Sequence, residues 1–142
     1  MSKKLIIMSG PSGAGKSTYV KENYSEGVIC SADRYFEELA MLNQTSYEEE
    51  FQPYLLAKAH QFCWWQFIHA IKVMDEPLVV IDNTNTQKWE FENYEFLAEL
   101  EGYEVERVVV PFDPDKAEVY HSRNKHGVPL EVIERQIRDF EY

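Results

Sequence analysis

Lys4-Leu5-Ile6-Ile7-Met8-Ser9-Gly10-Pro11-Ser12-Gly13-Ala14-Gly15-Lys16-Ser17-Thr18 decides how the rest of the chain is read. Lys4 to Ser9 is a short, continuous apolar run ended by Gly-Pro, the pattern of a strand covered on both faces as in a parallel sheet. Gly10 to Ser17 then fits G-x-x-x-x-G-K-[ST] in full, and a stretch with helical period, Lys16 to Tyr24, follows it. Glycines let such a loop curl so that successive backbone N–H groups point inward, and the helix that begins near Lys16 adds its positive dipole end. Spacing, lysine and serine agree in a way that a chance glycine-rich turn does not. The stretch is therefore expected to cradle the phosphates of ATP: Gly10, Ser12, Gly13, Ala14 and Gly15 form the loop, Lys16 reaches the β- and γ-phosphates, and Ser17 ligates Mg2+. Thr18 is expected to support the helix start or the α-phosphate.

Outward from this stretch the same alternation repeats. Gly27 to Cys30, Leu78 to Ile81 and Val105 to Val110 are further short runs of strand character. Between them, helical period is read over Lys16 to Tyr24, Asp33 to Leu42, Pro53 to Met74, Lys88 to Leu100, Pro114 to His121 and Pro129 to Phe140. In the long third segment Leu56, Ala59, Cys63, Phe67, Ala70 and Met74 make one apolar stripe. Strands alternating with helices predict an α/β fold of three layers, a central parallel sheet of about four strands flanked by helices, with ligands at the carboxyl ends of the strands. The whole of 1–142 reads as one P-loop domain of this α/β type, since 142 residues suffice for one sizeable core.

The 14 basic against 25 acidic residues give a formal charge of −11, the opposite of the footprint of a protein that grips long duplex DNA. Any polyanion is expected to touch a local patch. The acids at Glu48 to Glu50, Glu90 to Glu106 and Glu131 to Glu141 alternate with apolar residues as solvated helix faces do. The first apolar run is too short for a signal peptide or a membrane span, and the expected location is cytoplasmic. Cys30 and Cys63 stand in neither a CxxC nor a zinc-like spacing and read as buried or idle thiols.

Three polar motifs fall directly after strands. Ser31-Ala32-Asp33-Arg34-Tyr35 follows the second, and Asp33 there is a candidate general base for an attacking hydroxyl. Position alone leaves open whether Ser31 or Asp33 merely caps the next helix. Arg34 reads either as a clamp on an acceptor phosphate or as a solvent-facing partner of Glu37 or Glu38. Leu78 to Asp82 has the form of a strand ending in an aspartate that can hold the magnesium shell, and Asn83-Thr84-Asn85-Thr86 follows as a polar turn.

These blocks resemble the kinase domain of the polynucleotide 5'-hydroxyl kinases and related P-loop kinases, the wider group of AAA-type and zeta-toxin-like domains. GPSGAGKST, the strand with SADRY, VVIDNTNT and the late RNKHGVP carry the resemblance from Leu5 to about Phe140. It implies that Lys16 and Ser17 hold ATP and Mg2+, that Asp33 activates an acceptor hydroxyl, and that Asp82 with Thr84 lines the acceptor or metal side. Arg123 would belong to a lid that brings it to the transferring group and to the bound nucleotide. The chain departs from the family pattern at Ser31-Ala32, where many members read Asn-Arg, and at Phe36, where some carry an arginine.

Arg123 to Pro129 is a cationic segment bounded by glycine and proline, as a closing loop requires. Asp113-Pro114-Asp115 superficially matches a phosphatase D-x-D, but Lys116-Ala117 follow it, and a helix cap with proline at the first position explains it better. His121 and His126 pair with no other ligand-type residue at metal spacing, and no zinc site is expected. Three functions remain: a kinase acting on a 5'-hydroxyl end of DNA or RNA, a kinase of a small hydroxyl-bearing metabolite or antibiotic, and a switch module that hydrolyses ATP slowly.

Overall fold

The structure, a computed structural model, describes residues 2–142. Its elements in chain order are β1 (Lys4–Ser9), α1 (Lys16–Asn23), β2 (Val28–Cys30), α2 (Asp33–Asn43), α3 (Tyr47–Glu50), α4 (Leu56–Ile68), β3 (Leu78–Asp82), α5 (Lys88–Leu100), β4 (Glu104–Val109), α6 (Ala117–Arg123) and α7 (Leu130–Arg138). The four strands form one parallel sheet in the order β2-β3-β1-β4.

Because side chains alternate across a strand, each strand of the sheet's centre feeds two cores. Leu5, Ile7, Val79, Ile81 and Cys30 pack on one side against Cys63 and Phe67 of α4 and Phe91, Tyr94 and Ala98 of α5. Ile6, Met8 and Val80 pack on the other side with Val20 of α1 and Val110. Both faces are thus covered, which is why the strands read as unbroken apolar runs. The register sets Met8 beside Asp82 and Cys30 beside Ile81, so the ends of β1, β2 and β3 lie side by side and their following loops converge on one edge.

The long helix expected over Pro53 to Met74 is instead three pieces. Pro53–Leu55 is a single 3₁₀ turn, α4 follows, and His69–Val73 widens into a π-helical turn with Met74 N–H donating to His69 O. That widening turns Ala70 and Ile71, neighbours in sequence, both into the core. Of the expected stripe, Ala59, Cys63, Phe67 and Ala70 are buried, whereas Leu56 and Met74 are exposed at the ends. Pro114–Lys116 is likewise a 3₁₀ turn, opened by Asp113 accepting from Asp115 N–H, and α6 runs on to Arg123. Arg123 therefore ends a helix, where a loop position was expected. The last helix stops at Arg138, and α3, capped by Ser46 accepting from Glu49 N–H, falls where no element was expected.

Candidate active site at the strand ends

The loop from Gly10 to Gly15 is held from three directions. Gly10 N–H donates to Thr84 O at 2.9 Å, which ties the loop to the turn after β3. Ser12 N–H donates to Gln136 Oε1 of α7 at 2.9 Å. Gly13, at φ 83°, lies so close to α6 that a Cβ there would meet Tyr120 O at 2.1 Å. Gly15 takes φ 102° with open space around it, so backbone conformation alone demands glycine at that position. The last two helices thus brace the loop, and Tyr120 with Gln136 are structural parts of the site that the sequence motif does not announce.

Lys16 folds over this loop, and its Nζ donates to Gly10 O at 2.9 Å and to Pro11 O at 3.0 Å. Burial of the ammonium pushes its pKa down to about 8, against the opposing pull of Asp82 and Asp33. Ser17 Oγ donates to Asp82 Oδ2 at 3.3 Å. Burial raises the Asp82 pKa, Lys16 and the Ser17 hydroxyl oppose that rise, and Asp33 adds to it as a like charge. A hydroxyl and a carboxylate meeting at the end of the loop form a pair of hard oxygen donors, the type Mg2+ takes. Thr18 is exposed on the first turn of α1.

Asp33 is the first residue of α2, and its carboxylate is not used as a helix cap. At this helix start Ser31 Oγ accepts from Asp33 N–H at 3.2 Å, and Ala32 between them offers no side-chain cap. The Asp33 side chain instead accepts from Tyr47 O–H at 2.7 Å through Oδ1 and faces His126 Nε2 at 3.7 Å through Oδ2. Neither Tyr47 nor His126 was singled out from the sequence as a site residue. The available signal was Ser46-x-x-Glu49, the pattern of a helix start, which places Tyr47 at the first helical position.

The remaining candidates are placed as follows. Arg34 Nη1 donates to Ile29 O at 2.9 Å, so its guanidinium lies back along β2, and among the described residues it has no acidic partner within ion-pair distance. Thr84 contributes its carbonyl to the loop contact described above. Arg123 lies over the Tyr120 ring, 5.4 Å from the centroid, at the outer end of α6. Two neighbours of these residues carry the scaffold. Asn83 Oδ1 accepts from Ala32 N–H at 2.9 Å, which joins the β3 and β2 ends, and buried Asn85 donates to Met8 O at 2.8 Å. Arg107 of β4 donates to Ser9 Oγ at 2.9 Å and to Glu141 O, and stacks on Phe91 at 4.5 Å, which fastens the C-terminal residues beneath the loop.

A family profile described as an AAA domain matches residues 5–142. The chain belongs to this family of P-loop kinase-type domains. It is 29% identical over 147 residues to NEDD4-binding protein 2 of Homo sapiens, an alignment that takes in 96% of this chain and 8% of that protein. The chain thus spans less than a tenth of that curated relative. Among solved structures, a chain of the Pnkp1/Rnl/Hen1 RNA repair complex matches with TM-score 0.66 at 12% identity, over 97% of this chain and 44% of its own. A gluconokinase from Sinorhizobium meliloti 1021 matches with TM-score 0.53 at 16% identity, over 98% and 75%. At such identities these likenesses concern the fold, which is the parallel α/β fold of P-loop kinases. Among the described residues no helix is long and apolar enough to cross a membrane.

Proposed function

We propose that the chain is an ATP- and Mg2+-dependent phosphotransferase whose acceptor is a 5'-hydroxyl at an end of DNA or RNA. The observation that carries the phosphotransferase reading is the placement of the Asp33 carboxylate, half exposed and held by Tyr47 O–H at 2.7 Å, at the end of β2 on the same sheet edge as the Lys16 loop and Asp82. In the reaction, Asp33 takes the proton of the attacking hydroxyl as its oxygen bonds to the γ-phosphorus, and the bond to the bridging oxygen breaks to release ADP. Lys16 lies in the loop that would hold the β- and γ-phosphates, with its ammonium free to leave two carbonyls for phosphate oxygens. Mg2+, held by Ser17 and Asp82, would neutralise charge on those phosphates. Arg123, at the end of α6, is the lid cation nearest the loop in sequence and is proposed to reach the transferring group on closure.

The 5'-hydroxyl acceptor is supported by the combination of SADRY, IDNTN and the late Arg123-Asn124 pair, together with the fold likeness to a chain of an RNA repair complex. One observation favours a small hydroxyl acceptor instead: the charge of −11 with Arg34 turned back on its own strand leaves few cations for a nucleic acid. The two readings separate by KM. A nucleic-acid end gripped by two or three phosphate contacts predicts a log–log salt slope near about −2, and little change in KM beyond a few nucleotides. KM is therefore to be measured for a nucleoside 3'-phosphate, a short oligonucleotide and a long one at several salt concentrations. Acceptance of a sugar or antibiotic hydroxyl with none of the three phosphorylated would replace the 5'-hydroxyl reading by the small-molecule one.

A further inference from the structure

Three groups meet at the acceptor side of the site: Asp33, Tyr47 and His126. Tyr47 is the first residue of the four-residue α3, and its ring is wedged by Phe36 at 5.4 Å edge-on and by Phe51 at 6.0 Å in a stack. That wedge fixes where the phenol oxygen can go. Burial raises the phenol's pKa and the Asp33 carboxylate raises it further, so the hydroxyl keeps its proton and acts as donor to Oδ1.

The opposite face of the Tyr47 ring is not open. His126 stacks on it with centroids 3.8 Å apart and planes 26° from parallel. His126 belongs to the segment between α6 and α7, where Asn124 Oδ1 accepts from His126 N–H at 2.8 Å and Val128 N–H at 3.2 Å, and Gly127 takes φ 67°. The loop is thereby shaped to present one ring. The imidazole Nδ1 is buried with no hydrogen-bond partner among the described residues, and Nε2 stands 3.7 Å from Asp33 Oδ2, beyond a hydrogen bond. Stacking on Tyr47, with the Asp33 carboxylate facing Nε2, is what holds the ring.

We propose that Tyr47 is a positioning residue with two separable tasks: its hydroxyl fixes the Asp33 carboxylate, and its ring seats the 124–129 loop beside that carboxylate. This rests on Asp33 being the base. With Oδ1 engaged by the phenol, Oδ2 is the oxygen left to receive the acceptor's proton. With His126 stacked, its Nε2 flanks that oxygen at 3.7 Å while the Asp33 side chain stays half exposed, so an acceptor can still reach it. Opening the loop moves the imidazole away from Oδ2 and leaves the hydroxyl contact in place. Losing the hydroxyl leaves the loop seated and frees the carboxylate to rotate.

The two contacts are separable by substitution. Tyr47→Phe keeps the ring and removes the hydroxyl, His126→Phe keeps a stacking ring without nitrogens, and His126→Ala removes the stack. Two quantities are to be read for each: amide hydrogen exchange across residues 122–130, and kcat and KM for ATP with γ-labelled ATP and a 5'-hydroxyl decanucleotide. Tyr47→Phe is expected to leave lid protection and KM for ATP within about twofold while kcat falls by about tenfold or more. His126→Ala is expected to lose about fivefold or more of the lid's protection, and His126→Phe to restore it. A kcat for Tyr47→Phe within twofold of the parent overturns the positioning role, and full lid protection in His126→Ala overturns the latch. The exchange measurement needs no acceptor. If the parent protein does not phosphorylate the oligonucleotide, the 5'-hydroxyl reading fails, and the rate of ATP hydrolysis then takes the place of transfer in the same comparison.

Discussion

Replacing Lys16 by methionine should make the nucleotide-free protein more stable while abolishing its chemistry. The ammonium has its pKa at about 8 in the folded protein against an ordinary 10.5, because burial costs more than Asp82 and Asp33 return. Between pH 8 and 10.5 the unfolded chain binds more protons than the folded one, so the stability of the parent rises with pH across that window. Below it the full cost is present, at most about 3.5 kcal/mol at ~1.4 kcal/mol per pKa unit. Water at the half-buried loop and the loss of two hydrogen bonds to Gly10 and Pro11 reduce the net gain at pH 7 to about 1–2 kcal/mol, or roughly 3–6 °C in Tm. Methionine matches the length of the lysine stem and carries no charge, so the difference between variant and parent should shrink toward pH 10.5. Transfer should fall by several orders of magnitude, since phosphate charge in the transition state loses its nearest cation. Urea unfolding at pH 7, 8.5 and 10 with a turnover assay checks each part. A Lys16→Met protein that is less stable at pH 7, or a gap that does not close with pH, would refute the account of the buried ammonium.

Further outcomes are expected. Gly13→Ala should destabilise the domain by about 2 kcal/mol or more or displace α6, because its Cβ would meet Tyr120 O at 2.1 Å and its φ is 83°; a lowered urea midpoint with weakened ATP binding is the readout. Arg107→Met removes the donors to Ser9 and Glu141 and should cost about 2 kcal/mol, visible also as faster proteolysis after Arg138. Asp82→Asn should leave the fold intact and raise the Mg2+ concentration needed for half-maximal turnover, since one of two proposed hard donors loses its charge.

The alternation of strands and helices, the glycine-rich loop after β1 and the strand-end positions of Asp33 and Asp82 were legible in the sequence because each is local: a run, a spacing, a residue type after a strand. What was not legible depends on distant parts of the chain. Tyr47 lies 14 positions from Asp33, and Gln136 lies 124 positions from Ser12, so neither contact leaves a short-range trace. Whether the Asp33 carboxylate caps α2 was open in the sequence, since only the folded chain shows it turned to Tyr47 while Ser31 Oγ accepts from its N–H. The π turn at His69–Val73 escaped for another reason: it widens an otherwise regular helical stripe, and only the folded chain shows the Met74 N–H to His69 O bond and the burial of both Ala70 and Ile71.

The central claim is that Asp33 deprotonates a 5'-hydroxyl for attack on the γ-phosphorus of ATP. It is tested most directly by incubating the parent protein and Asp33→Asn with γ-labelled ATP, Mg2+ and a 5'-hydroxyl oligonucleotide and following the label. The account predicts label on the oligonucleotide with the parent, and with Asp33→Asn unchanged ATP binding but transfer lowered by about a hundredfold or more, because the amide keeps the size yet cannot take the proton. Near-normal transfer by Asp33→Asn, or label found only in free phosphate with the parent protein, would contradict it.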